Sequence, residues 1–327
     1  MLNFFVFPAI AIFLLYLAFK GIDLKKIWQE LFNVDYKWIF LSLILAIGGM
    51  YFRALRWRLL LQSVNLNPPV KTTFYAVIMG YFANMAIPRI GELTRCASLN
   101  KTNNIPVDVS FGTVITERIV DLFTLIFFIL LVLILDFNFF SSFFKENVLN
   151  NVIEKFQNFN LFFDLIVLVL IVGFIVLIII YKNIFAKYRI YNKITEFIKG
   201  FFKGITSVLK LKHLNRFIFY TIAIWLFYIL MTYVVFFSIE STSKLSLLDG
   251  IFIMCVGGIG MSMPVQNGFG AFHWLVSRAL MLYGISQSDG LLYATLCHES
   301  QVIMILLLGP TVMLLIMLYK KKTVTKT

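Results

Sequence analysis

The side chains able to do chemistry in this chain stand where charge is costly to keep. Three groups of ionisable residues interrupt long apolar stretches: Arg89, Glu92 and Arg95; Glu117, Arg118 and Asp121; and His273 with Arg278, followed downstream by the adjacent His298 and Glu299. A charge placed at the centre of a hydrocarbon layer costs about 3 kcal/mol on insertion scales, so such residues pair with one another or line a wet cavity. Arginines present a planar fork of donors that fits phosphate or carboxylate. Two carboxylates one helical turn apart, Glu117 and Asp121, either aim those arginines or form an acidic pair for a metal. Two readings of the set stay open: salt bridges that pin the structure, or a site for an anionic ligand.

Other chemistries lack their residues. No G-x-x-x-x-G-K-[ST], H-E-x-x-H or G-x-S-x-G pattern occurs, so no nucleotide cradle, zinc-protease helix or nucleophile elbow is expected. His298 and Glu299 have no nucleophile beside them. His273 and His298 read as hydrogen-bonded packing residues, because no third and fourth ligand stand at metal spacing. The expectation is a protein that is not an enzyme and needs no cofactor or metal. Cys96, Cys255 and Cys297 form no C-x-x-C pair and imply no disulfide framework.

The elements that must position these residues are membrane helices. Of 327 residues 60% are hydrophobic and only 14% charged, with mean hydropathy +0.89. A soluble domain carries roughly 25% charged residues. The net charge of +13 reflects basic loops that set topology, not nucleic-acid binding. Apolar runs cover about 2–19, 38–58, 72–87, 107–135, 161–181, 217–239, 248–263 and 291–318. The first lacks a basic flank and a small-residue cleavage site and reads as a retained helix. The loop 182–216 has nine basic residues and one acid, Glu196, whereas 136–164 has four acids and two lysines. The basic loop and the tail Lys320–Lys322 are therefore expected in the cytoplasm. Arg53, Arg56 and Arg58, beside Trp57, read as interfacial anchors.

Parity then demands that 72–105 and 248–283 each enter and leave on one face. Each is a re-entrant hairpin, bent at Pro88-Gly91 and at Pro264 with Gly268 and Gly270. Both termini come out cytoplasmic. The fold expected is an all-α polytopic membrane protein with an inverted repeat, residues 1–138 answering residues 161–320, and two opposed hairpins. Pro88 and Pro264 lie 176 positions apart and Glu117 and Glu299 lie 182 apart; Met85-Ala86-Ile87-Pro88 also resembles Met261-Ser262-Met263-Pro264. Inverted repeats with broken helices are a transporter signature.

The segments Asn84–Arg95 (NMAIPRIGELTR) and Val114–Asp121 (VITERIVD) resemble the motif region of the lysylphosphatidylglycerol synthase transmembrane (flippase-like) family, and Ala54–Trp57 and the stretch from Pro264 to Gly270 fit it too. The resemblance covers nearly the whole chain, less closely at the second hairpin. It implies a bacterial or archaeal inner-membrane protein. In fused members this region is associated with moving an aminoacylated lipid between leaflets. No soluble synthase domain is seen here, so aminoacyl transfer is not implied. The functional residues implied are Pro88, Gly91, Glu92, Arg95, Glu117, Arg118 and Asp121.

The expected function is a flippase-like transporter of a membrane phospholipid or polyprenyl-linked lipid. Arg89, Arg95 and Arg118 would recognise the head group, positioned by Glu92, Glu117 and Asp121. His273, Arg278 and Glu299 would line the other half. Two alternatives stand beside it: a noncatalytic partner of a separate lipid-modifying or glycosyl-transferring enzyme, and a polyprenyl-phosphate transferase using Glu117 and Asp121 as a metal pair.

Overall fold

A computed structural model describes residues 30–136, 211–263 and 265–324, with side chains to 318. The expected helices 2–19 and 161–181, most of the loop 182–216 and Pro264 lie outside the described residues. Two compact units are distinguished, Met1–Ile129 with Lys203–Thr327, and Leu130–Phe202. Of the second, the described residues are only 130–136, the end of one helix. Every other described residue belongs to the first unit.

Its elements are helices: α1 (Tyr36–Ser63), α2 (Val70–Ala86), α3 (Gly91–Asn103), α4 (Val107–Leu135), α5 (Leu214–Val235), α6 (Leu247–Ser262), α7 (Ala271–Met281) and α8 (Gln287–Val324). No strand occurs among the described residues. Among the described residues four apolar stretches are long enough to cross a membrane: Tyr36–Ser63, Val107–Leu135, Leu214–Ser238 and Gln287–Leu318. The other four helices, of 17, 13, 16 and 11 residues, are about 17–25 Å long at 1.5 Å per residue, short of a hydrocarbon core of about 30 Å.

Contacts fix the directions. Ser42 Oγ donates to the Met231 carbonyl, and Arg56 meets Thr221. Between them Gly48 is the bare spot where the Phe227 ring lies, 2.6 Å from where a Cβ would stand. Rising numbers on α1 thus meet falling numbers on α5, and the two are antiparallel. Trp57 bonds Thr113 while Arg53 bonds Asp121, so α4 is antiparallel to α1. Tyr293 of α8 donates to the Thr232 carbonyl, and Ile305 and Ile316 share a core with Trp57 and Leu61. Hence α8 runs beside α1 in the same direction. These directions are the ones that parity requires.

The short helices form two hairpins. The first starts at Pro68-Pro69, where Arg58 Nε donates to the Pro68 carbonyl. It comes back to the same end, where Trp57 bonds Thr113 of α4 and Leu66, Ile105 and Val107 join the core that holds Leu61 and Ile316. The second starts and finishes at the opposite end, its Gly250 against Tyr233 and Phe236 and its Tyr283 against Phe252. A capping box between Ser246 and Asp249 opens it, closing free N–H groups at the helix start. The tips meet: Arg89 donates to the Ser262 carbonyl at 2.6 Å.

The first tip is held by backbone. Asn84 Oδ1 accepts from Gly91 N–H at 2.7 Å, capping α3, and a Cβ on Gly91 would collide with the Gly80 carbonyl oxygen and Asn84. Arg89 has φ +60° and Asn267, in the second tip, +47°. For a residue with a Cβ, left-handed backbone costs roughly 1–2 kcal/mol. Each tip therefore carries local strain that the surrounding packing maintains.

The glycines give a stability test. Gly91→Ala forces the hairpin open and is expected to destabilise by about 1–3 kcal/mol, the usual range for overpacking. Gly258→Ala, on α6, finds only Leu125 at 3.7 Å and should be neutral or stabilising by up to about 1 kcal/mol through helix propensity. Thermal unfolding in detergent reads both signs.

Candidate functional site

The buried centre is a charge cluster that joins α1, α3 and α4 and reaches α2 and α5 through two tyrosines. Glu117 of α4 is fully buried. Its Oε1 accepts from Arg53 Nε at 2.7 Å and Arg95 Nη1 at 3.2 Å, and its Oε2 from Arg95 Nη2 at 2.6 Å. One turn on, Asp121 accepts from Arg53 Nη2 at 2.5 Å and Arg56 Nη2 at 2.6 Å. Arg53 Nη1 also donates to the hydroxyls of Tyr81 on α2 and Tyr228 on α5. The Arg95 guanidinium lies 4.0 Å from the Trp57 ring centroid, and Trp57 Nε1 donates to Thr113. Three guanidiniums face two carboxylates, a net charge of +1 in the protein interior.

This arrangement corrects two expectations. Arg53 and Arg56 are not interfacial anchors: they are 5% and 0% exposed and carry two of the three cations. Trp57 stands beside them as a buried platform. The sequence signal was their spacing, since 53, 56 and 57 share one face of a helix. Glu117 and Asp121 are not an open acidic pair either. Their oxygens are taken by arginines, which leaves no room for the metal that a polyprenyl-phosphate transferase would need there.

Glu92 does not pair with Arg95 along α3. It accepts from Arg118 at 2.9 Å, with Arg118 42% exposed, while Arg95 turns into the cluster. Arg89 is exposed at the junction of the tips. Pro88 and Gly91 shape that tip, and Gly268 and Gly270, with φ +75° and +77°, shape the other.

The second half holds a smaller constellation. Glu299 Oε1 lies 3.2 Å from His273 Nε2 and 3.0 Å from His298 Nδ1, and His298 Nε2 lies 2.8 Å from the Asn267 carbonyl oxygen. Phe269 and Phe272 enclose the imidazoles. Arg278 is exposed on α7, five residues along from His273, on a different face, and does not join them. The cysteines are free and buried.

Known proteins of similar sequence give a consistent picture. A family model described as the lysylphosphatidylglycerol synthase TM region matches residues 4–309. The chain is 26% identical over 285 residues to a UPF0104 membrane protein of Methanocaldococcus jannaschii, covering 79% of this chain and 81% of that protein. No solved structure matches.

Breaking the cluster should be graded by burial. Glu117→Gln leaves buried guanidiniums short of a countercharge and is expected to cost about 3–5 kcal/mol. Asp121→Asn, at a side chain 15% exposed, should cost less. Arg118→Ala removes a half-exposed pair and should stay within about 1 kcal/mol. Melting temperatures of the three purified variants test the order.

Proposed function

Because the chain belongs to the lysylphosphatidylglycerol synthase transmembrane-region family, a family of multi-pass membrane proteins, we propose that it moves an anionic lipid head group between leaflets and catalyses no reaction. The observation that carries this reading is the tip-to-tip junction of two hairpins beside a buried cluster of net charge +1. The hairpins dip into the bilayer from opposite faces, because each is too short to cross and each turns back at its own end. Irregular backbone at such depth is tolerated only where it is buried in protein or lines a water-filled cavity. On this reading residues 1–138 and 161–320 would be inverted repeats, as the 176-residue spacing of Pro88 and Pro264 suggests, the arrangement of many transporters whose sites lie between broken helices.

Roles divide by exposure. Arg89 at the junction and Arg118 on α4 are accessible enough to bind a phosphate. Arg95, fixed by Glu117, contributes positive potential rather than a free donor. Glu92 restrains Arg118. The acyl chains remain in the lipid alongside α4, whose outer face is apolar through Leu122, Phe123, Ile126 and Phe127. With the basic loop 182–216 in the cytoplasm, as its charge favours, the first hairpin opens to the cytoplasmic side and the second to the outer side of the inner membrane.

The family's description gives a second reading some support, since it is the membrane region of a synthase: the protein would serve as a noncatalytic partner of a lipid-modifying enzyme. One experiment separates them. In proteoliposomes with a fluorescent anionic phospholipid, the wild-type protein should speed dithionite-accessible exchange between leaflets. The double variant Arg89→Ala/Arg118→Ala should lower that rate at least about tenfold, roughly 1.4 kcal/mol of lost recognition, while remaining folded. Undiminished exchange in the variant removes the proposed head-group site. No exchange by the wild type, with a lipid-modifying enzyme co-purifying from membranes, establishes the partner reading instead.

A further inference from the structure

Hydrogen-bond chemistry at the second tip points to a ligand that the lipid reading does not supply. The Asn267 carbonyl can only accept, so His298 Nε2 carries a proton and donates to it. His298 Nδ1 is thereby left facing Glu299 Oε1 at 3.0 Å, and His273 Nε2 faces the same oxygen at 3.2 Å. A neutral His298 has a lone pair there, turned towards a carboxylate. Three donor atoms from α7 and α8, all within 4.8 Å of one another, converge on a shared space. His273 and His298 are 2% and 5% exposed, while the Glu299 side chain is 31% exposed.

We propose that His273, His298 and Glu299 bind one divalent transition-metal ion, zinc foremost, at the tip of the second hairpin. Two imidazoles and a carboxylate are a common zinc set that leaves a fourth position open. Ligands about 2.0–2.1 Å from a tetrahedral ion stand roughly 3.3 Å apart, close to two of the three separations found. The Asn267 contact is the outer-shell hydrogen bond that fixes the tautomer of a ligating histidine and aims its other nitrogen at the metal. His273 Nδ1 is buried with no hydrogen-bond partner, and its Nε2 is the nitrogen placed beside Glu299. The ion reaches the site from the side on which Glu299 is open, and water completes its coordination.

The sequence conceals the set because Glu299, being adjacent to His298, does not look like a separate ligand. Folding brings His273 to the same oxygen. A bound ion would lock α7 to α8 and hold the left-handed Asn267 backbone in place.

The test uses the full-length protein in detergent, stripped with chelator, equilibrated with zinc or magnesium chloride, and desalted. Plasma mass spectrometry should find one zinc per chain in the wild type and no retained magnesium, which prefers oxygen ligands. His273→Ala and Glu299→Gln should each cut retained zinc to below about a tenth, at least the loss that outer-shell changes produce. Cobalt loading of the wild type should give the visible ligand-field bands of a four-coordinate nitrogen–oxygen site, a readout that needs no variant to fold. Zinc unreduced in either variant, or a wild type without stoichiometric zinc and without cobalt bands, overturns the assignment. None of these readouts depends on lipid movement.

Discussion

One fully buried carboxylate holds the first half of this protein together. Glu117 accepts from arginines on two other helices, and neither those arginines nor the glutamate has water to fall back on. In a low-dielectric interior each charge is tolerable only because the others are present. The interaction therefore works as a positional constraint. It sets how deep α3 sits against α1, how α4 is rotated, and through Arg53 where Tyr81 and Tyr228 must stand. With lipid tails as apolar as leucine, hydrophobic burial does not sort helices against one another within a membrane. Polar bonds of defined geometry do.

Small residues complement that constraint. Gly48 admits Phe227, Gly80 and Gly91 let two backbones touch, and Gly309 receives the ring of Phe82 just before Pro310 breaks the hydrogen-bond ladder of α8. These are close approaches of backbone to backbone or ring, the means by which membrane helices gain packing energy. Between them the glycines and the arginine–carboxylate cluster account for the position of every long helix described.

Much of the architecture was legible in the chain because bilayer thickness is a ruler. Runs near 20 residues read as spans, and runs of about 16 ending in proline and glycine read as hairpin limbs. Counting spans between loops of opposite charge bias then gave the relative directions of the long helices that the contacts show. The charge pairing was less legible. Arg53 and Arg56 follow an apolar helix and precede a loop, as interfacial anchors do, and only the third dimension shows α4 and α5 covering them. Glu92 and Arg95 have the spacing of a helical ion pair, yet Glu117 offers Arg95 both of its oxygens and wins. The abundant phenylalanine is divided: Phe123 and Phe127 face outward, while Phe236 is buried and Phe52 stacks on Phe227.

The link between the hairpin tips asks unequal things of its two sides. Arg89 must supply a long guanidinium from strained backbone, whereas position 262 lends only its main-chain oxygen. Any amino acid has that oxygen. Substitution could rewrite the side chain at 262 while leaving the seam intact, so divergence is freer on the second half than on the first. An asymmetry of family likeness between the two hairpins is then what a joint of this kind would leave behind.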